Sequence, residues 1–183
     1  MAKAKRSRAK RATTTKGRAK GKKVQPVPEG FHTITPYLAI RGAADAIEWY
    51  KRAFGAKELD RQFGPGGLVL NAMLKIGDSM LLLSDIFPGA PHKSPLEYGG
   101  SPVTVHLFVK DVDAVWGRAV AAGARPTMPL ADQFWGDRYG QLVDPFGHEW
   151  SLATHKEDLT RKQREARAAA WAAQFGQGGG PPP

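Results

Sequence analysis

The sequence has no cysteine. That excludes a disulfide scaffold, a Cys-ligated zinc site, an iron–sulfur cluster and thiol catalysis, and makes a reducing, cytoplasmic setting the expectation. No apolar run approaches the ~18–20 residues that span a bilayer, so no membrane partner is expected. The first residues also lack the apolar stretch of a secretory signal. Acidic residues are missing from residues 1–23, which hold 11 Lys and Arg. Of the 27 bases in the chain, 16 remain for residues 24–183, against 17 acids. The net charge of +10 therefore describes a tail and not a fold built for nucleic acid.

Composition divides the chain. Residues 1–28 are Lys, Arg, Ala and Thr followed by a Pro-containing linker. Their large apolar residues, Met1, Val24 and Val27, are too few to offset chain entropy, and disorder is expected. Residues 1–23 suit a salt-dependent, sequence-independent contact with nucleic acid or another polyanion, without aromatics to stack on bases. A solubilising or targeting extension is the other reading. Residues 29–155 have the composition of one domain. Residues 156–175 read as an Ala- and charge-rich helix with a thin stripe of Leu159, Ala166, Ala170 and Phe175. Residues 176–183 (GQGGGPPP) read as a flexible end.

The domain contains an internal repeat. Thr35-Pro36-Tyr37-Leu38-Ala39-Ile40 matches Thr104-Val105-His106-Leu107-Phe108-Val109 at a shift of 69 residues. Both alternate with period two, the mark of a strand packed on one face. A helix over 43–54 follows the first, with Ile47, Tyr50 and Phe54 on one face and Gly55 as its stop. A helix over 112–122 follows the second, with Asp111 as cap and Gly123 as stop. Strands are expected at 58–63, 68–76 and 79–84, then at 125–128, 138–143 and 148–154. Asp144-Pro145-Phe146-Gly147 is a turn sequence. Gly64 to Gly67 is a hairpin connection: no Lys-Ser/Thr follows it and no helix supplies an N-terminus for phosphate. The halves, about 31–85 and 101–155, are each β-α-β-β-β. The fold class is α+β, with duplicated modules forming a curved sheet around a cleft.

The segments TPYLAIRGAADAIEWYKRAFG, IGDSMLLLSD, VHLFVKDVDAVWGRAVAAG and FWGDRYGQLVDPFGHEWSLATH resemble the vicinal oxygen chelate (glyoxalase/bleomycin resistance/dioxygenase) superfamily, and within it the PhnB-like branch. The resemblance implies a glyoxalase-type fold and a homodimer with clefts at or near its interface. It also implies four strand positions where the family's enzymes hold a divalent metal with His and Glu. Aligned to that pattern, the positions fall on Thr35, Leu81, Thr104 and Ser151. Neutral hydroxyls and a leucine cannot offset the dehydration of a divalent ion. No cofactor is therefore predicted; a divalent metal would return only if the alignment slips and brings His106 or Glu149 into play.

Strand parity selects the cleft lining: Tyr37, His106, Phe108 and Ser151, with Asn71 and Met73 on the wall, Leu81 and Leu83 beside them, and Trp135 in a loop above. The repeat sets Tyr37 opposite His106. An aromatic pocket with few polar groups suits a small organic ligand. His106 and Glu149 are the weak catalytic candidates, as proton acceptors; a hydrogen-bonded wall histidine and a solvated carboxylate are the plain readings. Arg138 or Asp137 would pair with ligand charge. His148 and His155 belong to a turn and a strand end, His32 and His92 to the surface. Trp49, Trp116 and Trp150 read as core or interface packing. Three functions stay open: a metal-free binder of a small organic molecule; a metal-dependent lyase, isomerase or dioxygenase; and a nucleic-acid-associated protein acting through the tail.

Overall fold

The computed structural model describes residues 24–175; the basic stretch 1–23, with its expected polyanion contact, and the end segment 176–183 lie outside them. The chain runs β1 (Tyr37–Ile40), α1 (Ala43–Phe54), β2 (Lys57–Phe63), β3 (Val69–Ile76), β4 (Ser79–Asp85), the single-turn α2 (Pro95–Tyr98), β5 (Thr104–Phe108), α3 (Val112–Ala121), β6 (Arg125–Asp132), β7 (Asp137–Val143), β8 (Glu149–His155) and α4 (Arg161–Phe175). Among the described residues no helix is long and apolar enough to cross a membrane.

The strands form two four-stranded sheets of identical topology, β1-β4-β3-β2 and β5-β8-β7-β6. The first and last strands of each module pair in parallel, and the other pairs are antiparallel. Tyr37 stands opposite Leu82, and His106 opposite Ser151. The 69-residue shift holds in both pairs, so the α+β duplication is present in the tertiary structure.

Each sheet has one covered and one open face. Leu38, Ile40, Leu74, Leu81 and Leu83 from the first sheet share a continuous core with Leu142, Trp150 and Leu152 from the second. Helix α1 lies on the first sheet, α3 on the second, and the helices pack on each other. The modules thus meet back to back through their helices, and the open faces turn away from the shared core.

A buried carboxylate caps α1. The helix begins at Gly42 in the left-handed region, with φ 83°, and has no side-chain cap of its own. Asp85, at the end of β4, accepts the Gly42 and Ala43 N–H groups at 3.0 and 2.8 Å and the Val69 N–H at 2.7 Å. The anion satisfies orphan donors at the positive helix end. A second carboxylate joins the modules. Asp144 Oδ2 accepts the Tyr50 hydroxyl at 2.7 Å and the Trp150 indole N–H at 2.8 Å, while Oδ1 accepts the Phe146 and His148 N–H groups. Burial and the Asp144 charge push the Tyr50 hydroxyl well above the ordinary tyrosine range. Trp49 meets Tyr50 and Phe54 edge to face, and Phe146 and Trp150 lie tilted against Tyr50 and Phe54 around this centre. The Trp49 indole donates to Ala122 O at 2.8 Å across the junction. Trp49 and Trp150 are therefore core, and Trp116 is packed against it.

The structure corrects several sequence expectations. Leu81 and Leu83 are 3% and 0% exposed and belong to the core, not to the cleft; Leu82 takes the open face. The reason is local. Met80 to Leu83 is an unbroken apolar run without alternation, so it carries no parity signal. The buried Asp85 sets the parity and sends Leu81 and Leu83 to the helix side. Strand β6 runs past residue 128 to Asp132, because Pro126 and Pro129 are tolerated on an edge strand interrupted by bulges. Helix α4 starts at Arg161, not 156. Thr160 and Gln163 form a reciprocal cap, Thr160 N–H to Gln163 Oε1 at 2.9 Å and Gln163 N–H to Thr160 Oγ1 at 3.3 Å.

Candidate functional site

Three strands of the second sheet present alternate residues on its open face: Thr104, His106 and Phe108 from β5, Glu149, Ser151 and Ala153 from β8, and Tyr139 and Gln141 from β7. His106 Nδ1 lies 2.7 Å from Ser151 Oγ. Its ring meets Phe108 edge on at 4.4 Å and lies nearly parallel to Tyr139 at 5.9 Å. The Tyr139 hydroxyl accepts Gln141 Nε2 at 2.7 Å. Trp135, in the loop between β6 and β7, meets Tyr139 at 5.4 Å and Phe134 at 5.0 Å. The result is a wall of four rings over a short polar row.

Partial burial among these rings lowers the His106 pKa below the ordinary histidine value, against the raising field of Asp137. The imidazole is therefore neutral near pH 7 and offers either a lone pair or an N–H. Glu149 Oε2 accepts the Thr104 hydroxyl at 3.4 Å, at the edge of the same face. Arg138 turns to the other side: its Nη2 lies 2.7 Å from Asp113 of α3 and its Nη1 3.3 Å from Asp132. It is not placed to meet ligand charge on the open face.

The first sheet carries the other lining residues. Tyr37, Asn71 and Met73 share its open face with Leu82, as the register of Tyr37 and Met73 against Leu82 requires. The expected residues thus fall on two faces, Tyr37, Asn71 and Met73 on one, and His106, Phe108, Trp135 and Ser151 on the other. Within one chain Tyr37 does not stand opposite His106. Tyr37 is 52% exposed and Phe108 65%. One hollow of about 810 Å³ lies along Lys57 to Arg61, and one of about 480 Å³ lies between Tyr98 to Pro102 and Glu149, at the edge of the second sheet's open face. Sequence reasoning missed Tyr139 and Gln141. Their signal was there: buried Gly140 and Leu142 alternate with them along β7.

The positions that the resemblance aligns with metal ligands hold Thr35, Thr104 and Ser151 and, by the register of β4, Leu82 in place of the expected Leu81. Thr35 Oγ1 donates to the His32 carbonyl and Ser151 Oγ is engaged with His106. Among the described residues no three His, Asp or Glu side chains gather where an ion could sit. This donor set does not fit a divalent metal.

The family model of the Glyoxalase/Bleomycin resistance protein/Dioxygenase superfamily matches residues 30–152. The chain belongs to this superfamily. Rv0887c of Mycobacterium tuberculosis is 43% identical over 136 residues, covering 73% of this chain and 80% of that protein. Among solved structures, TioX from Micromonospora sp. ML1 is 30% identical with a TM-score of 0.54, over 67% of this chain and 97% of TioX. The PhnB protein from Bacillus cereus has a TM-score of 0.55 at 18% identity over 67% of this chain and 99% of that one, a likeness of fold alone.

Proposed function

We propose that this superfamily member is of the PhnB-like kind and is a metal-free binder of a small organic molecule. The observation that carries the reading is the open face of the second sheet, where His106, Phe108, Trp135 and Tyr139 form an aromatic wall over Ser151 and Gln141. Rings of this kind supply apolar contact area, and a few polar atoms fix orientation. A neutral His106 backed by Ser151 orients a ligand by hydrogen bonding. Glu149, the next residue of β8 on this face, is engaged with Thr104 instead. A homodimer completes the site: the open face of the first sheet, with Tyr37, Asn71, Met73 and Leu82, supplies the opposite wall from a second copy. The metal-dependent alternative finds no support in the donor set.

The test combines elemental analysis with a thermal-shift screen of small aromatic compounds on the full chain. The expected result is substoichiometric Ni, Zn, Mn and Fe, and a hit whose stabilisation is lost in Phe108→Ala and Trp135→Ala. A ligand at 100 times its Kd adds about 2.7 kcal/mol. Stoichiometric metal removed only by chelation would overturn the reading.

A further inference from the structure

The aromatic wall is tied to the C-terminal extension. The Gly136 carbonyl, next to Trp135, accepts the Lys156 and Glu157 N–H groups at 2.9 and 3.0 Å. The Phe134 ring lies 5.2 Å from Trp171 of α4. Arg167 of α4 reaches back to Glu157 at 2.7 Å. Gly136, at φ +100°, is the seat of this contact: a Cβ there would come within 2.6 Å of the Glu157 carbonyl oxygen. Between residues 161 and 173, α4 is otherwise exposed, with only Ala168 half-buried. Such a helix is held by its few anchors and not by a packed face.

One anchor is ionic. His155, the last residue of β8, places Nδ1 2.6 Å from Asp137 Oδ1 and Nε2 3.0 Å from Asp158 Oδ1. A neutral imidazole has one N–H, and carboxylates only accept. Both contacts are satisfied at once only by the imidazolium. Resting on the reading of this face as a ligand site, we propose that residues 156–175 are a strap across its aromatic wall and that His155 is the positioning residue of the strap. As a cation His155 clips Asp158 to Asp137 and holds Phe134 and Trp135 in place; as a neutral ring it releases Asp158. The titratable and charged groups around it are Asp137 from β7, whose field also reaches His106 of β5, and Lys156, Glu157 and Asp158 in the extension; Arg138 of β7 turns to the other side with Asp132 from β6 and Asp113 from α3. Arg138 is held by Asp113 and Asp132, and Glu157 by Arg167.

The two carboxylates raise the His155 pKa above the ordinary histidine value. The clip is therefore fully present below the unfolded-state pKa of about 6.5 and is lost as pH rises through the raised value. The test is fluorine NMR of the full chain labelled with 5-fluorotryptophan, titrated from about pH 5.5 to 9. The Trp135 and Trp171 resonances, assigned with Trp135→Phe and Trp171→Phe, are expected to move together with one midpoint above about 6.5. In His155→Gln they stay flat, and in Asp158→Asn the midpoint falls. Since the His155 and Asp158 side chains are 53% and 102% exposed, these variants are expected to fold; far-UV circular dichroism checks this. A wild-type Trp135 resonance that does not titrate, or one that titrates equally in His155→Gln, overturns the strap. In parallel, anilinonaphthalene sulfonate serves as the aromatic probe. Its dissociation constant should rise about threefold or more across the same midpoint in wild type and not in His155→Gln. Probe binding that is insensitive to Phe108→Ala counts against the site reading, while the fluorine titration still decides the strap.

Discussion

Asp144 is a single side chain on which two modules depend. It is 4% exposed and accepts four hydrogen bonds from Tyr50, Trp150, Phe146 and His148. Bonds to a charged acceptor contribute roughly 1.5–3 kcal/mol each, and unpaired buried donors cost about as much. Asp144→Ala is expected to lower stability by roughly 3–5 kcal/mol, since several buried donors lose their acceptor at once; urea unfolding that changes by less than about 1 kcal/mol would contradict the hub. Residue-level parity makes a second prediction. Leu81→Ala should cost about 2–5 kcal/mol, as a core truncation does, and Leu82→Ala well under that. A larger loss at Leu82 would show that β4 is in the opposite register, and equal losses would contradict the parity.

Elements here are positioned by what their neighbours lack. Gly140 of β7 lets Trp116 of α3 lie flat on the sheet: a Cβ at Gly140 would come within 2.7 Å of the Trp116 ring and 3.0 Å of Leu130 Cα. Gly140→Ala is therefore expected to cost about 1–3 kcal/mol by overpacking, and Gly140→Ala combined with Trp116→Leu should recover part of it, read from thermal melts. Element boundaries were legible where caps and periodicity agree. Helix α1 runs over Ala43–Phe54 as its Ile47, Tyr50, Phe54 stripe predicts. They were less legible where a strand holds prolines, as in β6, or where one cap motif hides inside charged sequence, as Thr160 and Gln163 do before α4.

For the whole molecule the junction between modules sets the pH response. His148, in the β7–β8 turn, is 7% exposed, and its Nε2 has no hydrogen-bond partner among the described residues. Burial lowers its pKa, opposed by the Asp144 charge and by contact with the Ala39 backbone across the junction. A depressed histidine pKa means that the unfolded chain takes up the proton first. Stability is retained above the unfolded-state value of about 6.5 and lost as pH falls from there through the folded-state value. Melting temperatures should drop from pH 7 to pH 5, and His148→Leu should flatten that slope; an unchanged slope would place the sensitive group elsewhere. The outward-turned sheet faces make the assembly prediction. Sedimentation should give a dimer, and Tyr37→Arg or Phe108→Arg should shift it to monomer without loss of the far-UV circular dichroism signal, since both side chains are outside the core.

The chain alone determined the duplication, the order of elements and the covered face of most strands. These rest on local periodicity, turn chemistry and the 69-residue shift. Tertiary structure decided what no local pattern encodes. The parity of Met80 to Leu83 followed from the buried Asp85 that caps α1 from another strand. The split of Tyr37 and His106 onto separate faces followed from the back-to-back packing of α1 on α3, a non-local pairing of two amphipathic helices. The partnership of Trp135 with Tyr139 and with the C-terminal extension required the β6–β7 loop to meet chain 20 residues further on at Gly136, and sequence spacing carries no sign of such a contact.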